Sequence, residues 1–166
     1  MDDNQQVLPL AFAIVDEDSY LSWKWFLQMV SKHILNGVTG ICLISDRHAG
    51  LMGAIDDIPD FVPPCSVHQL CLRHVCSNFN KRFKNVKFKD LCWRIGSKYQ
   101  TREFNRIMDE IRNINSEACD YLDQIEKEKW TASHDGGWRC GILTTNMSKC
   151  IDGVLKGAST PTHDNN

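Results

Sequence analysis

The feature that most constrains the fold is the alternation of short apolar runs with helical patterns. Val7–Val15 and Ile41–Asp46 are apolar runs that lead into or end in acidic residues, and Ser66–Leu70 is a third short extended segment. Runs of this length and composition predict strands that are buried or nearly so. An amphipathic helical pattern over residues 20–35 separates the first two runs, and a shorter helix separates the second from the third. This order predicts an α/β fold.

The rest of the chain has helical patterns alone. A helix is predicted near residues 73–83, and two amphipathic stripes follow around Phe104–Ile111 and Ala118–Ile125. Two adjacent glycines at 136–137 interrupt the pattern, and a last helix is predicted to begin at residues 144–146. Residues 159–166 are expected to be a frayed tail. The architecture is therefore an α/β core with a helical annex.

The charges are distributed unevenly, although the formal net charge is only −2. Residues 1–60 carry nine acids against three bases, whereas residues 73–102 carry nine bases against one acid. Basic residues interleaved with aromatic ones suit a nucleic acid backbone. A solvated helix face, or a contact surface for the acidic half, explains the same pattern. The candidate DNA-binding residues are Arg73, Lys81, Arg82, Lys84, Lys87 and Lys89.

Several classes of protein do not fit the composition. No stretch approaches the roughly 18 apolar residues that a membrane span needs. The acidic N-terminus does not fit a signal peptide, so we expect an intracellular protein without a membrane partner. The eight cysteines are scattered, and without a secretory signal they are interpreted as reduced thiols rather than a disulfide framework.

Asp46 is the best candidate for a catalytic carboxylate. It follows a predicted buried strand directly, and a carboxylate at such a strand end can hold a metal ion at the rim of a sheet. The alternative is an Asp that caps the following helix, which is common at strand–helix junctions. The acids Asp16, Glu17 and Asp18 also follow a strand-like run, but they are interpreted as a solvated loop and a helix cap.

Four potential metal ligands are closely spaced at Cys65, His68, Cys71 and His74. Structural zinc sites usually split their ligands into two pairs separated by a dozen or more residues, so this spacing is unusual. Side chains of a strand also alternate between its two faces. Cys71 and His74, at the start of the predicted helix, can still share a face. A small zinc-binding domain therefore stays open as an alternative to ordinary packing.

Three ordered blocks of the sequence resemble the transposases of plant Mutator-like elements (MULEs). The first is "PLAFAIV" followed by "SWKWFL" at residues 9–27, the second is "SDRHAGL" at residues 45–51, and the third is "CLRH" followed by "NF" at residues 71–79. Trp93, Phe104 and Thr144–Asn146 continue the likeness, which covers residues 2–158 in order. Several specific blocks in one order are a far stronger signal than any single motif.

The resemblance implies a ribonuclease-H-like fold with a metal-dependent DDE core. Asp46 would be its second catalytic carboxylate and a ligand of Mg²⁺ or Mn²⁺, while Cys71 and His74 would be the C-x2-H pair of the family, near the active site. The resemblance further implies that the protein is located in the nucleus and that its partner is DNA. It also allows a homo-oligomer. The implied organisation is a partial core (1–83), a helical insertion (84–135), a C-terminal helix that returns to the core (136–158) and a tail (159–166).

Two departures from the family pattern predict that the chain does not catalyse transposition. The first catalytic aspartate of the family lies upstream of the "PLAF" block, so this chain is expected to begin after it, as a fragment with an incomplete core and no tightly bound metal. Lys149 also stands where the family commonly has glutamate, and an ammonium there removes a metal ligand and adds repulsion. The alternative function is a domesticated, non-catalytic module that binds DNA or protein.

Overall fold

The computed structural model describes residues 9–145, and this part of the chain is a mixed α/β structure that is mostly helical. None of its helices is both long and apolar enough to cross a membrane. In chain order the elements are α1 (Tyr20–Val30), a π-helical turn (Ser31–Leu35), β1 (Ile41–Ser45), α2 (Ala49–Asp56), a 3-10 turn (Pro59–Phe61), β2 (Ser66–Leu70), α3 (Leu72–Phe83), α4 (Val86–Ser97), α5 (Thr101–Ile114), α6 (Ser116–Asp123) and a 3-10 turn (Lys127–Lys129).

The prediction that Val7–Val15 forms the first strand is wrong for the residues that the structure describes. Residues 9–15 form no strand, and their side chains are exposed, with Ile14 at 96%. A strand is stable only when its backbone groups pair with a neighbouring strand. Within residues 9–145 this segment has no such neighbour, so its apolar composition alone does not make it a strand.

Helix α1 forms where its pattern predicts, and it packs on α2. The Ser19 hydroxyl accepts the backbone N–H of Ser22 at 3.3 Å, which caps the first turn. The helix continues into a π-helical turn and ends there, because Asn36 adopts a left-handed conformation with φ 43°. The buried residues of this N-terminal cluster are Leu27, Leu51, Ala54, Ile55, Ile58 and Phe61.

Strands β1 and β2 are parallel neighbours, joined through α2. Ile41 pairs with Ser66 and Ser45 pairs with Leu70, so both strands end at the same edge. The second and third strands are thus confirmed, but the burial predicted for β1 is wrong, since Ile41 to Ile44 are only half-buried. The cause is that, within residues 9–145, β1 has a strand on one side alone.

Helices α3 to α6 share a larger core with β2. Leu70, Val75, Phe79, Ile95 and Ile107 are among its buried members. Within the stretch 84–135, where the sequence predicts a helical insertion, residues 84–123 are helical apart from short connections, and residues 124–135 contain one 3-10 turn. In the predicted C-terminal helix, residues 136–145 form turns instead, since Gly136, Gly137, Cys140 and Gly141 all have positive φ. The remainder of that helix, and the predicted tail, lie outside the described residues.

One glycine of the "SDRHAGL" block has a specific packing role. A Cβ atom on Gly50 would lie 2.7 Å from the backbone nitrogen of Tyr20, at the start of α1. Such an approach requires backbone to move, because no side chain can rotate away. Gly50 therefore allows α2 to pack closely against the first turn of α1, which fixes the position of the turn that carries Asp46.

We expect Gly50→Ala to lower the free energy of unfolding by about 1–3 kcal/mol, as overpacking in a tight contact does. Gly53→Ala is the matched control in the same helix, since its Cβ would lie an ordinary 3.4 Å from the Tyr20 ring. Alanine is the better helix former, so the control should unfold at the same urea concentration or a higher one. Equal urea midpoints for the two variants would contradict this account.

Candidate functional site

The carboxyl ends of β1 and β2 bring Asp46 and Cys71 to one edge of the sheet. The backbone N–H of Cys71 donates to the carbonyl of Ser45 at 2.7 Å, which extends the pairing one residue beyond the strands. Oδ1 of Asp46 accepts the backbone N–H of His48 at 3.0 Å, just ahead of α2. This contact closes the turn before α2, but it is not the helix cap proposed as the alternative, because the N-cap of α2 is His48 and no side chain caps the helix. The second carboxylate oxygen has no partner within residues 9–145 and faces a half-buried environment.

Cys71 and His74 lie one turn apart at the start of α3. The Cys71 thiol is 1% exposed, and its sulfur accepts the backbone N–H and the hydroxyl of Thr145 at 3.4 and 3.5 Å. Nδ1 of His74 is buried and has no partner in the described part of the chain. The sequence block that holds Cys71 is thus packed against residues 144–145, which are 74 positions away.

The four closely spaced metal-ligand candidates do not come together. His68 bonds Ser45 through Nε2 at 2.8 Å, whereas the sulfur of Cys71 is bonded by Thr145. Over residues 9–145, no three His, Cys, Asp or Glu side chains are grouped so that they could hold a metal ion. The described residues therefore do not fit a complete site for Mg²⁺, which needs several oxygen ligands. Lys149 lies outside the described residues.

A segment that we call the return segment, residues 127–145, closes over β2 and α3. The backbone N–H of Ala132 donates to the carbonyl of Gly96 at 2.9 Å, so the segment first contacts the end of α4. The N–H of Leu72 donates to the carbonyl of Leu143 at 2.9 Å, so its far end lies on the first turn of α3. The segment therefore fixes the residues around Cys71.

Arg139 anchors the return segment to β2. Its side chain is 1% exposed, and it donates from Nη2 to the carbonyl of Leu70 at 2.9 Å and from Nε to Oε1 of Gln69 at 3.2 Å. Nη2 also bonds the carbonyl of Lys129, and the buried Asp135 carboxylate lies 3.9 Å from Nε. Burial lowers the pKa of Arg139 from its ordinary value, and Asp135 opposes that shift. The charge is thus held by hydrogen bonds and a partner, as a buried cation requires.

Sequence reasoning missed Arg139, Asp135 and the buried Trp130. The one available signal is the four-residue spacing of Asp135 and Arg139, which is typical of an exposed pair on a helix. The flanking glycines argue against a helix there, so the spacing alone carries little information. The decisive partner, Gln69, is 70 residues away in the sequence.

The predicted DNA-binding cations differ in their surroundings. Arg82 donates to Glu117 at 2.9 Å and lies over the ring of Tyr121, 5.3 Å from its centroid. Lys87 lies 3.9 Å from Glu110. In the described part of the chain, Lys81, Lys84 and Lys89 form no ion pair, and all three are exposed.

A groove of about 520 Å³ runs between α3 and α4 and begins beside the strand ends. Arg73, two residues after Cys71, and Lys89 supply its cations, and Trp93 on its wall is 42% exposed. Thr144, the neighbour of the residue that bonds Cys71, also lines it. The groove therefore combines positive charge with an accessible indole ring. Its full lining is Arg73, Cys76, Val86, Lys89, Asp90, Trp93 and Thr144.

His68 makes stability depend on pH. Burial lowers the pKa of His68 to about 4 from its ordinary value of 6.5, and Lys129 acts in the same direction. In the unfolded chain this histidine binds a proton as the pH falls below about 6.5, whereas in the folded chain it stays neutral until about 4. The folded state should therefore lose on the order of 2 kcal/mol as the pH falls through this window.

We expect His68→Gln, which keeps a polar partner for Ser45, to remove this loss. Urea unfolding of both proteins between about pH 7.5 and 4.5 should show the variant gaining stability relative to the wild type as the pH falls. The exposed His33→Gln serves as the control and should follow the wild type. A constant difference between wild type and His68→Gln over the whole range would show that His68 does not titrate in this way.

The comparison with known families agrees with the resemblance that the sequence blocks around the strand ends indicate. The model of the family described as MULE transposase domain matches residues 1–78, which include α1, β1, α2, β2 and the first half of α3. No curated protein and no solved structure matches the chain significantly. The resemblance drawn from the sequence to Mutator-like transposases is thus confirmed. Residues 1–78 are therefore similar to the MULE transposase domain.

Proposed function

We propose that the chain binds duplex DNA through the α3–α4 groove and does not cleave DNA by itself. The observation that carries this proposal is the position of the groove. Its cations begin two residues after Cys71, at the edge of the sheet where Asp46 also lies. The family match supports a transposase-type function, for which DNA is the substrate.

The acidic neighbours of each cation indicate which cations can contribute most to DNA binding. Lys81, Lys84 and Lys89 are exposed and, over residues 9–145, lack acidic partners, so their charges are available to phosphates. Arg82 and Lys87 have acidic neighbours that offset part of their charge. We therefore assign the main electrostatic contribution to the first three lysines, with Arg73 at the inner end of the groove.

Trp93 and Val86 supply the apolar part of the same surface. On α4, Val86, Lys89 and Trp93 follow a spacing of three and four residues, so they lie on one face. Val86 is 83% exposed and Trp93 is 42% exposed, although both are apolar. An indole beside a cation provides a flat contact for a deoxyribose or a base, while the lysine contacts the phosphate.

In this proposal the core has a ribonuclease-H-like arrangement, and Asp46 is one of its metal-binding carboxylates. The parallel β1–α2–β2 unit with Asp46 directly after β1 supports this assignment. In the intact family Mg²⁺ or Mn²⁺ would stabilise charge on the phosphate. Over residues 9–145, no group of three His, Cys, Asp or Glu side chains forms around Asp46, and a single carboxylate does not hold Mg²⁺ tightly in water.

The same reasoning supports a chain without cleavage activity. Two-metal cleavage requires several carboxylates that converge on the ions. Lys149 stands at the position where the family commonly has glutamate, and its ammonium would repel a divalent cation. A retained DNA-binding surface without cleavage is the behaviour of a domesticated binding module, and a nuclear location would follow from it.

We expect Lys89→Gln to weaken binding to a fluorescein-labelled duplex and to lower the slope of log K against log salt by about 1. Fluorescence anisotropy across a salt series measures both quantities. Arg82→Gln is the matched control on the same helical hairpin, because its charge is already paired with Glu117, and its slope should change less. Lys32→Gln, on the exposed π-helical turn, should leave binding unchanged.

The same labelled duplex, kept with Mg²⁺ or Mn²⁺ and run on a denaturing gel, reports cleavage. We expect binding without strand breaks. If Lys89→Gln, Arg82→Gln and Lys32→Gln all lowered the affinity for DNA equally, the assignment of DNA binding to the groove would be contradicted. Breaks that disappear in Asp46→Asn would contradict the inactive state while supporting the role of Asp46.

A further inference from the structure

The N-terminal part of the structure exposes a continuous apolar surface. Leu10, Phe12 and Ile14 are 74%, 78% and 96% exposed, and α1 presents Leu21, Trp25 and Met29 at intervals of four residues. A groove of about 580 Å³ joins the two sets, and it is lined by Ile14, Leu21 and Trp25 together with polar residues that include Asp16 and Glu17. We call the six exposed apolar residues the apolar face. Single exposed apolar residues are ordinary, but a contiguous set of this size marks an interaction site.

The backbone beside this face is also unsatisfied. Within residues 9–145, residues 10–14 are extended and make no backbone hydrogen bond. Their side chains alternate, so that Leu10, Phe12 and Ile14 lie on one side, while Ala13 and Val15 line a pocket with Trp23 and Phe26. The segment thus has the extended backbone and the two-sided pattern of a strand that needs a partner.

The area of the apolar face matches that of a stable dimer. At their exposed fractions the six side chains present on the order of 800 Å² per chain, which is the area each partner contributes to a standard interface. An isolated monomer rarely exposes a patch larger than about 300–600 Å².

The charges decide how two copies can meet. Asp16, Glu17 and Asp18 follow the segment directly. Parallel pairing of two copies would place the two acidic turns side by side. Antiparallel pairing centred on Phe12 separates the two Asp16 residues by eight residue steps, or about 27 Å at 3.4 Å per residue. That distance exceeds the Debye length of about 8 Å at physiological salt, so the repulsion is screened.

We propose that a second copy of this chain covers the apolar face. Residues 10–14 of the two copies pair antiparallel across a two-fold axis at Phe12, and the pair packs on the Leu21–Trp25–Met29 stripe of both copies. A two-fold interface buries the same surface on each partner, which suits a face whose six defining side chains are all apolar. The inference does not depend on the proposed DNA binding.

The mass of the full chain in solution tests the dimer. Light scattering after size exclusion should give twice the 19.0 kDa of one chain. Ile14→Arg, at a position that contributes nothing to the core, should give the mass of one chain. Val86→Arg is the matched control at an exposed apolar position outside the face, and it should stay dimeric. A monomeric wild type, or a dimer that persists in Ile14→Arg, would overturn the proposal.

A cross-link tests the pairing and its register. In the antiparallel arrangement Phe12 faces itself, at the Cα separation of about 5 Å that a disulfide requires, whereas the two Leu10 residues lie about 14 Å apart. Diamide treatment of Phe12→Cys should therefore give a covalent dimer above the background from the native cysteines, and Leu10→Cys should not. Equal cross-linking of the two variants would contradict this register.

Discussion

The arrangement of the strand ends depends on the buried guanidinium of Arg139. It bonds the last carbonyl of β2 and the Gln69 side chain, and Asp135 balances its charge. Hydrogen bonds from Nε and Nη2 compensate the buried cation together with Asp135, whereas Nη1 has no partner within residues 9–145. Removal of either member of the Arg139–Asp135 pair would leave an uncompensated buried charge. The return segment would otherwise be a run of turns with several glycines and little regular structure. Arg139 converts it into a fixed cover for β2 and the first turn of α3.

The position of the candidate site follows from that anchor. Because the segment is fixed on β2, its end reaches the first turn of α3, where Leu143 and Thr145 bond Leu72 and Cys71. Thr144 then becomes part of the groove whose cations we assign to DNA. On the other side of the edge, the close approach of α2 to α1 that Gly50 permits sets the turn of Asp46. Two long-range contacts thus hold the two halves of the site, and the sheet between them sets their spacing.

Sequence patterns predicted those parts of the fold that depend on local periodicity. Helix α1 and the segment Ser66–Leu70 form where their patterns predict, because helical periodicity and short extended runs are properties of neighbouring residues. Residues 9–15 have the composition of a strand, yet strand formation depends on a neighbour that composition does not reveal. Arg139 was missed for the same reason, since its role is defined by a partner 70 residues away. Asp46 and Cys71 could be named in advance as candidate site residues because they lie in blocks that resemble a family.

Hydrogen exchange on Arg139→Met tests the role of the anchor most directly. Methionine keeps most of the apolar volume but leaves Asp135 buried without its partner, so unfolding in urea should become easier by about 3–5 kcal/mol. The amide of Leu72, which donates to Leu143 at 2.9 Å, should lose its protection. Arg106→Met removes an exposed cation that bonds Glu103, and it should change neither quantity noticeably. If Arg139→Met instead keeps the wild-type urea midpoint and full protection at Leu72, then Arg139 does not anchor the return segment to the sheet.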